Sequence, residues 1–126
     1  MKTPLDPRHL KRKKAIQDLF SLTFCEEKPK TDLGKKVFKS LDKIDKIIAK
    51  AAPEWPLNQI NKIDLTILRL AVWELVIKPK EPPKVIIDEA IELGKTFGSE
   101  NTPAFVNGVL GTVYKNFQKE KKENGN

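Results

Sequence analysis

Apolar residues recur at steps of three and four along most of the chain, and prolines or polar clusters interrupt the runs. Ile16, Leu19, Phe20 and Thr23 predict a first helix over residues 8–24, after a loose arm at residues 1–7 that carries Pro4 and Pro7. The polar link CEEKPKT follows, at residues 25–31. Thr31 or Asp32 can then cap a second helix whose stripe of Leu33, Val37, Leu41, Ile44, Ile48 and Ala51 reaches Ala52.

PEWP, with Pro53 and Pro56 around Trp55, predicts a stiff corner. The third helix, residues 57–77, carries Ile60, Ile63, Ile67, Leu70, Ala71, Trp73 and Leu75 on a wide face, so it is expected to be the most buried. KPKEPPK forms a loop, and Pro83 suits the first turn of a fourth helix that stops at Gly98. Ser99, Asn101 or Thr102 can cap a last helix, with Pro103 near its start, that passes Val109, Val113 and Phe117. A disordered tail is expected at residues 119–126. No strand-like alternation and no internal repeat interrupts this order.

Composition agrees with the pattern. With 126 residues, 39% hydrophobic content, 33% charge and six glycines, the expected product is one all-α domain. The net charge of +7 is unevenly spread: residues 1–52 hold 14 Lys or Arg against 7 Asp or Glu, while the rest balances at 10 of each. Much of the excess lies in RHLKRKK, where Arg8, Lys11, Arg12, Lys13 and Lys14 occur without an acid. Such a block suits phosphates, whereas the lysines of the second helix, interleaved with Asp42 and Asp45, read as a solvated face.

Catalytic and metal constellations are missing from the sequence. His9 is the one histidine and Cys25 the one cysteine, so neither a zinc set nor a disulfide can form within the chain, and no metal or cofactor is expected. Asp88, Glu89 and Glu92 are read as first-turn acids that complement a helix dipole. Glu74, inside LRLAVWELVI, is read as a structural acid with a nearby partner. The glycines match no phosphate loop or dinucleotide fingerprint. No apolar run is long enough to span a bilayer, and no apolar segment follows the basic N-terminus, so a soluble cytoplasmic protein is expected.

IDLTILRLAVWEL, followed by PPKVIIDEAIELGKTFGSENTPAFVNGVL, closely resembles the NusB family of bacterial transcription antitermination factors. The likeness covers residues 57–114, and RHLKRKKAIQDLF resembles the family's basic first helix more loosely. It implies two small helical bundles packed across each other. It also implies a non-enzymatic RNA-binding subunit that engages boxA-type RNA with the ribosomal protein NusE, within the transcription elongation complex of ribosomal RNA operons. Carried over, the RNA-binding set is Arg8, Lys11, Arg12, Lys13 and Lys14, with Lys95, Phe97 and Phe105.

Only CEEKPKT stands where the family has a further helix, so the N-terminal bundle is expected to have two helices. That would leave apolar surface on Leu19, Leu22, Val37 or Leu41 and favour a homodimer. Two alternatives remain. One is the related domain of ribosomal RNA methyltransferases, set aside because a chain ending at Asn126 leaves no room for a catalytic domain. The other is a protein-interaction adaptor without RNA binding. Within FVNGVLG, Gly108 and Gly111 are expected to let another helix approach closely, and Asn107 to hydrogen-bond a loop or helix end.

Overall fold

The computed structural model describes residues 6–25 and 27–124, which form six α-helices and no strand. Of the expected arm, residues 1–5 lie outside this range, as do Glu26 and residues 125–126. Helix α1, Pro7–Ser21, begins where Asp6 accepts a hydrogen bond from the Arg8 amide at 2.9 Å and Pro7 occupies a position that needs no N–H. Asp18, near its end, accepts from the Lys30 and Thr31 amides at 2.9–3.0 Å and from the Thr31 hydroxyl at 2.7 Å. Thr31 Oγ1 then accepts from the Gly34 amide at 3.0 Å and caps α2, Asp32–Lys39.

The single helix expected over residues 32–52 is two. The chain leaves helical geometry at Ser40, with φ −106° and ψ 16°, before α3, Leu41–Ala51. The Ser40 side chain makes no cap bond; its amide tightens back onto the Val37 carbonyl at 3.1 Å while its carbonyl accepts from the Ile44 amide at 2.9 Å. The N-terminal group therefore has three helices rather than two. Leu19 and Val37 are consequently buried, at 5% and 0% exposure, and do not supply the surface on which a homodimer was expected. Exposed large apolar residues among those described are instead Leu10 at 38%, Phe24 at 65%, Phe38 at 44% and Trp55 at 49%.

The expected third helix comprises a short 3-10 turn, Leu57–Gln59, then α4, Lys62–Val72, and a π turn, Trp73–Ile77, closed by the Lys78 amide on the Trp73 carbonyl at 2.9 Å. As expected, α4 is the most buried element: Leu65 to Leu68 and Leu70 to Val72 are buried, and it touches every other helix. Arg69 places its fork on Asp45 of α3 with two bonds of 2.9 Å. The continuous core runs from Ala15 in α1 to Val113 in α6, with α4 shared by the α1–α3 group and the C-terminal hairpin.

That hairpin consists of α5, Pro83–Phe97, and α6, Thr102–Asn124. Its corner is held by the Thr102 hydroxyl, which accepts from the Ser99 amide at 3.0 Å and donates to Asp64 of α4 at 2.6 Å. A Cβ on Gly98 would lie 2.5 Å from the Thr102 Cβ, so the close approach requires glycine there. Helix α6 continues through residues 119–124, where disorder was expected; good helix formers fill this stretch and Glu120 meets Lys50 at 2.7 Å.

Close helix packing at Gly108 and Gly111 is not found. Both are exposed, and an added Cβ at either would meet nothing within 4 Å. The buried stripe of α6 is Val106, Val109, Leu110 and Val113, which turns both glycines and Asn107 toward solvent. Asn107 makes no side-chain hydrogen bond with a described residue.

Candidate functional site

The helical period divides the basic block of α1 between two environments. Arg12 lies on the same stripe as Ala15, Ile16 and Leu19 and is only 4% exposed, whereas Arg8, Lys11 and Lys14 face solvent. Arg12 Nε donates to Glu74 Oε2 at 2.8 Å and Nη2 donates to Glu74 Oε1 at 2.7 Å and Glu81 Oε1 at 2.8 Å. Nη1 is 3.7 Å from Glu89, whose Oε1 lies 2.5 Å from His9 Nδ1.

Burial opposes the Arg12 charge, but hydrogen bonding and attraction from Glu74, then from Glu81, outweigh it and raise the guanidinium's pKa above the ordinary value. The fork is thus occupied by carboxylates, and Arg12 acts here as an internal tie rather than the expected phosphate ligand. Glu74 is the structural acid expected. Asp88, Glu89 and Glu92 are not first-turn acids, because α5 begins at Pro83; they instead meet Lys84, His9 and Lys95, respectively.

The other candidates fall in several places. The Arg8 side chain, 67% exposed, is 3.7 Å from Asp6 and from Glu81. Lys13 is half-buried. Lys95 is exposed and 3.4 Å from Glu92. Phe97 and Phe105 are half-buried against the core, and Phe105 meets exposed Trp55 edge-on at 6.1 Å.

These residues do not form one pocket. The basic end of α1 lies beside Glu74, in the π turn that continues α4, whereas the α5–α6 corner that carries Phe97 and Phe105 is tied to Asp64 in the first turn of α4. The helix rise of roughly 1.5 Å per residue separates these levels by about 15 Å. A further exposed aromatic, missed by reading the apolar stripe alone, is Phe24, which meets Phe20 edge-on at 5.1 Å and has Lys62 Nζ 5.1 Å from its ring.

The structure adds a cleft of about 380 Å³ between α1, α2 and the loop after the π turn. Arg8, Lys11 and Lys14 line it from α1, Lys36 from α2, and Lys78 and Lys80 from the loop. Leu33, Trp73 and Ile86 supply apolar lining, while Arg12 brings its partners Glu74 and Glu81 and α2 adds the exposed carboxylate of Asp32. Lys36, Lys78 and Lys80 carry no sequence motif; their convergence depends on the break at Ser40 and the path of the proline loop. Among the described residues, no group of His, Cys, Asp and Glu could hold a metal ion, and no helix is long and apolar enough to cross a membrane.

Comparison with known proteins extends this picture. The NusB family model matches residues 28–115. Transcription antitermination protein NusB of Roseiflexus castenholzii is 36% identical over 137 residues, covering 91% of this chain and 96% of that protein. The protein of the same name from Chloroflexus aggregans is 49% identical over 83 residues, 64% of this chain, and the match spans 55% of that relative's length. A solved structure of T. maritima NusB has a TM-score of 0.78 and 32% identity, covering 98% of this chain and 99% of that one.

Proposed function

The chain belongs to the NusB family, and from that premise we propose that it is a non-catalytic, RNA-binding transcription antitermination factor of the cytoplasm. It engages boxA-type single-stranded RNA together with the ribosomal protein NusE and supports elongation by RNA polymerase on ribosomal RNA operons. The observation that carries this reading is the set of solvent-facing bases at the start of α1, of which Lys11 and Lys14 have no ion-pair partner among the described residues. Like charges held together at a helix end attract a polyanion and release its counterions.

Titration with a boxA-like RNA and a scrambled control, with and without NusE, tests the proposal. Lys11→Glu with Lys14→Glu should lower affinity and flatten its salt dependence by roughly 0.7 in log–log slope for each phosphate that is no longer neutralised. A second reading, a protein-interaction adaptor without RNA binding, is favoured by the exposed Trp55 beside Phe105 at the opposite end of α4. It gains the stronger case if neither RNA binds in the presence of NusE.

A further inference from the structure

The cleft between α1, α2 and the α4–α5 loop has chemistry that folding alone does not explain. Lys11, Lys14, Lys36, Lys78 and Lys80 come to it from three separate segments, and none has an ion-pair partner among the described residues. Elsewhere lysines do find acids: Lys50 meets Glu120, Lys84 meets Asp88 and Lys95 meets Glu92. Converging like charges repel one another, and a polyanion placed among them removes that repulsion. Three acids line the same space: Glu74 and Glu81 compete little for the lysines, because both are bonded to Arg12, and exposed Asp32 offsets only one of the five.

Apolar lining makes this more than a phosphate patch. Half-buried Leu33 borders the same space, and the core residues Trp73, 9% exposed, and Ile86 form its floor. Its volume of about 380 Å³ falls at the lower end of the roughly 300–1,000 Å³ range of small-ligand clefts. An apolar floor that includes part of an indole and is ringed by cations suits an unstacked base with its flanking phosphates, and a duplex cannot offer such a base without opening.

We propose that this cleft is a single-nucleotide slot, in which one unstacked base of a single-stranded RNA lies against Trp73 while neighbouring phosphates are held by Lys11, Lys14, Lys36, Lys78 and Lys80. The proposal rests on the RNA-binding reading above and extends the contact surface from α1 to α2 and the α4–α5 loop. It also separates the slot from Phe97 and Phe105, at the far end of α4.

Trp55→Phe leaves Trp73 as the sole tryptophan of the two in the chain. A boxA-like single strand should quench Trp73 emission and shield it from acrylamide, while polyphosphate of matched charge should bind and leave the emission unchanged. Lys36→Glu combined with Lys80→Glu, in the otherwise natural sequence, should retain the melting temperature and weaken RNA binding. Its log–log salt slope should fall by about 1.4 for two phosphates that are no longer neutralised.

Full RNA affinity in the lysine variant together with unchanged Trp73 emission, while gel shift shows binding, would overturn the slot and leave the RNA-binding reading standing. Equal quenching by polyphosphate overturns the base contact. Failure of the natural sequence to bind any RNA, with or without NusE, overturns both proposals.

Discussion

Arg12 and Glu74 stand 62 positions apart in sequence and meet through a forked contact, with Nε 2.8 Å from Oε2 and Nη2 2.7 Å from Oε1. The contact joins α1 to the π turn after α4 and directs an arginine of the basic block inward. Replacing Arg12 with alanine would leave Glu74, Glu81 and Glu89 facing one another with their shared cation removed. A loss of about 3–5 kcal/mol is expected, as for other broken buried pairs. Lys14→Ala, at an exposed position, should change stability by less than about 0.5 kcal/mol and weaken RNA binding instead. Urea denaturation and RNA titration of both variants check this division, and the opposite pattern would return Arg12 to the RNA surface.

Asp18 predicts an acid-dependent contribution to stability. Burial opposes its charge, but the Thr31 hydroxyl and the Lys30 and Thr31 amides outweigh burial and hold its carboxyl below the ordinary 3.8. A carboxylate with a lowered folded pKa stabilises the fold above its unfolded pKa, and that contribution is lost as pH falls through the folded value. Asp18→Asn should therefore be less stable than the natural chain at pH 7. The gap should narrow as the pH falls below roughly 4. A gap independent of pH in denaturant melts would show that the charge of Asp18 contributes nothing.

Element ends with their own local chemistry are legible in the sequence. Thr31, Pro83 and Gly98 each mark a boundary through a cap, a missing donor or a close approach, and each lies where the structure places that boundary. The break at Ser40 is less visible because Val37, Leu41, Ile44 and Ile48 keep a helical spacing across it. The π turn is hidden for a related reason, since one widened turn barely disturbs the apolar pattern of residues 65–75. The inward turn of Arg12 is readable in principle: its spacing from Ala15, Ile16 and Leu19 puts it on the buried stripe. The cleft is not, because the positions of Lys36, Lys78 and Lys80 depend on tertiary packing.

Thr102 is fully buried and its hydroxyl serves both the Ser99 amide and Asp64. Thr102→Val keeps the shape of the side chain but removes both bonds, with an expected cost of about 1–3 kcal/mol because one of them is made to a carboxylate. Thr102→Ser should recover part of that loss. In a double-mutant cycle with Asp64→Ala, the combined cost should be smaller than the sum of the single costs, because the two changes remove one shared contact. Strict additivity would remove the Thr102–Asp64 bond from the forces that hold the α5–α6 corner.

Gly108 and Gly111 provide the sharpest contrast between a packing pattern and an open face. A close helix contact would make any side chain at either position damaging, but both positions are exposed and a Cβ would meet nothing within 4 Å. The remaining effect is that of glycine inside a helix, which costs roughly 0.5–1 kcal/mol relative to alanine through the freedom it retains when unfolded. Gly108→Ala and Gly111→Ala should each raise stability by about that amount, and together they should be nearly additive. Calorimetry of the single and double variants tests this. A lower melting temperature in either single variant would place a packing partner against this face of α6.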